Sequence, residues 1–145
     1  MLARTRSRRR GVHGTAVIFW FLLAVIATTA GIARETWLVP RIGQLRAHQL
    51  GTLLVCALFL MAITLFVRRA RPSTREALCV GAWWTLLAVG FEFGFGRYVD
   101  GLPWSRLLSD YDLSRGRLLS LVWLTVALGP AALTAVLGAA ERGNT

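Results

Sequence analysis

Apolar residues fall into four long blocks along the chain, separated by short stretches where charges and turn formers collect. The blocks run from Thr15 to Ile32, Leu50 to Val67, Ala77 to Phe95 and Leu118 to Leu137. Each is close to the roughly 20 residues that a helix rising about 1.5 Å per residue needs to cross a hydrocarbon core about 30 Å thick. Barrel strands would show alternating segments of about 10 residues instead. Without water to satisfy backbone groups in a bilayer, unbroken helices are the economical solution. The pattern predicts an all-α transmembrane four-helix bundle, one membrane domain over residues 1–145 with a basic N-terminal tail at 1–13. The connecting stretches are too short for a separate domain, and no internal repeat is visible.

Composition agrees. The 145 residues are 55% hydrophobic with a mean hydropathy of +0.55, above the roughly half-apolar usage of soluble domains. All 17 basic residues are arginine, a usage that hints at a GC-rich genome. Arg4, Arg6, Arg8, Arg9 and Arg10 precede the first block, Arg68, Arg69, Arg71 and Arg75 lie between the second and third, and Arg142 follows the last. The other side holds Arg34, Arg41, Arg46, Arg97, Arg106, Arg115 and Arg117. The denser side flanks its spans directly, which by the positive-inside bias puts both termini in the cytoplasm of a cell whose inner (plasma) membrane holds the protein. The net charge of +10 would suit nucleic acid, but arginines flanking spans account for it, so no nucleic-acid partner is expected. The expected partners are the lipid bilayer and either a second copy or a larger membrane protein. "RTRSRRR" before an apolar run also resembles a secretory signal, yet signal cores are about 7–15 residues, and this run is longer and bulky throughout.

Candidate chemistry is sparse. Cys56 and Cys79 sit at depths about 15 Å apart, whereas a disulfide needs alpha carbons within about 7 Å, so they read as structural thiols. The two histidines, His13 and His48, have no metal-ligand spacing around them, and neither a metal nor any cofactor is expected. "GFEFGFG" lacks the Gly-Lys-Ser/Thr ending of a phosphate loop. Gly90 and Gly94 are four apart on one helix face, where a neighbouring backbone is expected to approach closely.

Glu92 is the anomaly. A carboxylate at a helix centre costs about 2.5–3.5 kcal/mol on insertion scales, so it usually faces the bundle or a cavity with a partner. Lying about one turn from the end of its span, it shares a layer with Arg34, Glu35, His48, Arg97, Asp110, Asp112 and Arg117, the candidate binding cluster. Arg34 and Arg117 are its leading partners. A structural salt bridge is the favoured role, with a polar cavity for an ion, a proton or an anionic head group as the alternative.

In "GLPWSRLLSDYDLSRGR", Pro103 suits a helix start, and Trp104, Leu107, Leu108 and Tyr111 recur at helical spacing. This predicts a short interfacial helix before the fourth span, where Trp and Tyr are at home. Asp112 and Arg115 are placed to pair locally.

The first connection, "GIARETWLVPRIGQLRAHQLG", carries Gly31-x-x-Arg34, Pro40-x-x-Gly43 and then Ala47. With the acidic residue late in span three, this resembles a group of small four-span bacterial inner-membrane proteins. The resemblance covers most of the chain through short motifs and implies the topology, but no activity. Those relatives tend to have glutamates after the alanine, where this chain has His48, Gln49 and Gly51.

No nucleophile with a base, paired catalytic carboxylates or cofactor motif appears, so no catalytic residue is assigned and an enzyme is disfavoured. The favoured function is a structural or accessory membrane protein. The alternatives are a small transporter or channel with a polar site around Glu92, and an enzyme acting on lipid-linked substrates.

Overall fold

The computed structural model describes residues 2–98, 101, 103–109 and 118–143. Helix α1 spans Leu2–Ala33, passes through a π-helical turn at Arg34–Leu38, and continues as the short α2, Val39–Ile42. After Gly43 come α3 (Gln44–Ala70), α4 (Thr74–Tyr98), α5 (Trp104–Ser109) and α6 (Leu119–Gly143). The described residues contain no strand. Four segments are long and apolar enough to span a membrane: Gly11–Ile42, Gln44–Ala70, Thr74–Gly94 and Leu119–Ala140. The all-α four-helix bundle expected from hydropathy is therefore observed, and the chain is a multi-pass membrane protein.

The first connection is more helical than its motifs suggested. Proline has no N–H and its ring clashes with the carbonyl four residues back. Pro40 stands in the first turn of α2, and the turn before it widens so that the Val39 N–H reaches the Arg34 carbonyl, five residues away. The chain reverses at Gly43, whose φ of +80° is open to glycine at no steric cost. The second connection is tighter. Arg71 takes a left-handed φ of 46° and its N–H closes α3 on the Val67 carbonyl at 2.9 Å. Ser73 and Glu76 then form a reciprocal cap on α4, with the Ser73 N–H donating to Glu76 Oε2 at 2.9 Å and the Glu76 N–H to Ser73 Oγ at 3.4 Å.

Helix α6 packs along both α3 and α4, α1 packs along α3, and α1 touches α4 only lightly. The core lies toward the arginine-rich end of α3 and α4. Trp84 is fully buried and donates its indole N–H to the Ala16 carbonyl at 2.9 Å. Phe66 meets Trp84 edge to face at 5.1 Å and Phe19 at 5.7 Å, a geometry aromatic quadrupoles favour. Outward-facing side chains are large and apolar, Ile18, Phe21, Met61 and Leu86 among them, as a lipid-bathed surface requires. The hydroxyls of Thr15, Thr64, Thr85, Thr125 and Thr134 donate to carbonyls four residues back on their own helices, which satisfies them without a partner helix.

One expectation about packing is corrected. Among the described residues, a Cβ added at Gly90 or Gly94 would meet nothing within 4 Å, so no described backbone approaches that face. The close approach is at Gly81, where a Cβ would stand 2.2 Å from the Ala127 carbonyl oxygen and 3.1 Å from that of Val126. Pro130, buried inside α6 near this approach, cannot donate to the Val126 carbonyl, which lacks that helical partner.

Candidate functional site

Toward the other end of the bundle the helices part around a half-open cavity of about 420 Å³, within the roughly 300–1,000 Å³ range of small-molecule sites. Its lining on α3 runs from Gly51 to Phe59 and on α4 from Trp84 to Glu92. Eight residues at about 1.5 Å rise give a depth of about 12 Å. Trp20, Phe59, Trp84 and Val126 form the deep apolar part, and Arg34, Glu92, Thr28 and Thr52 bring polarity toward the mouth. The space exists because α1 presents Ala24, Ala27, Thr28 and Gly31 to it, side chains too short to reach α4. Ala27 and Thr28 on α1 and Phe91 on α4 line the cavity yet are exposed. The opening therefore lies between these helices, toward lipid.

The polar layer divides into two parts. In the first, Arg34 Nε and a terminal guanidinium nitrogen donate to Glu35 Oε1 at 3.2 and 2.9 Å. Its third nitrogen stands 3.4 Å from His48 Nδ1. The His48 ring is buried, and its Nε2 accepts the Leu118 N–H at 3.3 Å. A neutral imidazole accepts at one nitrogen only, so the ring can take the Leu118 amide with its own proton on Nδ1, or the arginine with its proton on Nε2. In one tautomer the ring ties the start of α3 to the end of α1, and in the other to the entry of α6. Gly51 makes the cluster possible, since a Cβ there would lie 3.2 Å from Arg34 Cδ. The cluster is built from a histidine acceptor and a glycine beside the arginine stem.

The second part lines the cavity. Glu92 is half-buried in the wall that also holds Arg34 and is engaged in an interaction of its own. Among the described residues the carboxylate that pairs with Arg34 is Glu35. Arg97 is exposed on the last turn of α4, outside the lining. Asp110, Asp112, Arg115 and Arg117 lie outside the described residues. Of the interfacial helix, α5 is present after Pro103, with Trp104 and Leu108 exposed and Trp104 stacked on Phe93 at 6.0 Å. Cys56 and Cys79 are both free.

Thr28 and Thr52 were missed in the sequence, as were the aromatic floor residues. The face Trp20, Ala24, Ala27, Gly31, Arg34 does recur at helical spacing. Nothing in one helix shows which neighbour stands away from it.

No family profile, curated protein or solved structure matches the chain. Its class is set by the fold and the cavity: a small multi-pass membrane protein with an amphipathic pocket.

Proposed function

We propose that this protein is a membrane-embedded binding protein whose working part is the cavity between α1 and α4, and that its ligand is an amphipathic molecule entering from the bilayer. The observation that carries this reading is the pairing of a lipid-side opening with a graded interior, apolar at Trp20 and Trp84 and polar at Arg34 and Glu92. A purely structural bundle gains by closing such a space, because helix association in lipid rests on packing and hydrogen bonds. The arginine distribution supports both termini in the cytoplasm of the inner membrane, which puts the polar mouth at the outer leaflet. A reporter fused after Arg142 then reads as cytoplasmic.

The test is thermal. A ligand that binds only the folded state raises the melting temperature with concentration. Single-chain amphiphiles added to the purified protein in nanodiscs should do so, and Ala27→Phe, which fills the cavity, should fold yet lose the response. If no amphiphile shifts the wild-type transition, the scaffold role is the better one.

A further inference from the structure

Resting on that reading, we infer that the polar end of the ligand is uncharged, a hydroxyl or carbonyl oxygen held at the hydroxyl of Thr52. Thr52 is 4% exposed and lines the cavity. Unlike the six threonines, Thr36 included, that bond to carbonyls four residues back, Thr52 makes no hydrogen bond among the described residues. A hydroxyl left unsatisfied in an apolar setting is unfavourable, and a ligand oxygen that both donates and accepts, or only accepts, relieves it.

The charges beside this hydroxyl argue against an ionic head group. Two of the three Arg34 nitrogens donate to Glu35 and the third faces His48, and Glu92 stands in the same wall. An anion would meet an arginine already paired with Glu35 and a second carboxylate. A cation would meet a carboxylate, Glu92, that is already engaged in an interaction. Either would lose its hydration on entering without gaining a free counter-charge. An uncharged oxygen has no such loss, and the hydrocarbon attached to it fills about 12 Å of cavity down to Trp20 and Trp84. Long-chain alcohols carry this chemistry as a hydroxyl, and quinone lipids carry it as a carbonyl.

The test uses the full-length protein in nanodiscs and four probes: a long-chain alcohol, carboxylate and quaternary ammonium of equal chain length, each bromine-tagged at the tail, and a short-tailed quinone. Bromine and quinone both quench tryptophan, and Trp20 and Trp84 lie at the cavity floor. Comparison between variants removes the background from probe dissolved in lipid. The alcohol, the quinone or both should bind about tenfold or more tighter than the charged probes. Thr52→Val, which keeps shape and removes the hydroxyl, should weaken that binding about five- to tenfold. Thr52→Ser should retain it and serves as the folding control. Binding by the alcohol alone identifies a hydroxyl source, and by the quinone alone a carbonyl source. Equal or tighter binding of a charged probe, or a Thr52→Val that binds like wild type, overturns the inference while the cavity remains a site. If none of the four binds, the cavity reading itself has failed.

Discussion

The two ends of this bundle are built from the same four helices by opposite means. At the arginine-rich end, Val12, Ala16 and Phe19 of α1 are buried against α3 and α4, the Trp84 indole is bonded to the Ala16 carbonyl, and Gly81 lets α4 touch the backbone of α6. At the other end α1 offers Ala24, Ala27, Thr28 and Gly31, and a cavity stands where side chains would be. In water such a gap would tend to collapse, because exposed apolar surface is unfavourable. Between lipid chains that force is missing, and closing the gap rests on packing contacts that the short side chains of α1 do not supply. Cohesion is concentrated in one half, which leaves the other free to hold a ligand.

The sharpest way to break this division is to attack the closed half. Trp84→Ala removes a fully buried ring, its aromatic contact with Phe66 and an interhelical hydrogen bond, and should destabilise the detergent-solubilised bundle by about 3–5 kcal/mol, the range for large aromatic deletions in cores. Reversible unfolding in denaturing detergent measures it. A loss below about 1 kcal/mol would show that the cohesive half lies elsewhere. Gly81→Ala comes next. The new methyl would overlap the Ala127 carbonyl, which belongs to a backbone that cannot swing aside, so a loss of about 3 kcal/mol, the upper part of the overpacking range, is expected.

These residues also show what was legible in the sequence. Hydropathy located all four spans, because crossing a bilayer constrains composition along a single helix. The separation of Cys56 from Cys79 followed from depth alone. The choice of glycine did not, because the need for a missing side chain at Gly81 is created by the α6 backbone at Ala127, and the register between α4 and α6 is a tertiary fact. Arg34, Glu35 and His48 share one layer by sequence position, and the structure brings their side chains within reach of one another. That Arg34 would turn to its own neighbour and to a histidine depended on the π turn before Pro40 and on the space at Gly51.

Glu92 tests the open half. It lines a half-open cavity, so Glu92→Gln should change stability by about 1 kcal/mol or less, since polar surroundings remain accessible to whatever it engages. A loss of about 3 kcal/mol, typical when one partner of a buried ion pair is orphaned, would mean that the carboxylate braces the bundle and that the mouth is structural. The same variant should retain binding of an uncharged amphiphile, because the amide keeps shape and hydrogen-bonding capacity.

The smallest effect is expected at Gly94, and it sharpens the contrast with Gly81 more than any other site. Both are glycines within α4. A side chain at Gly81 strikes the backbone of α6, whereas the space around the Cβ position of Gly94 is open to at least 4 Å. Gly94→Leu should therefore add a side chain to the surroundings of the bundle without moving a helix. Replacing glycine by leucine within a helix also removes backbone freedom from the unfolded chain, so any small change should be stabilising. The expected shift is within about 0.5 kcal/mol, as for substitutions that touch no packed feature. If Gly94→Leu instead destabilises the protein as strongly as Gly81→Ala, that face is covered in the membrane by something other than the described residues. A second copy is the simplest such cover, and cross-linking between single cysteines placed at Gly94, with Cys56 and Cys79 replaced, would then capture the dimer.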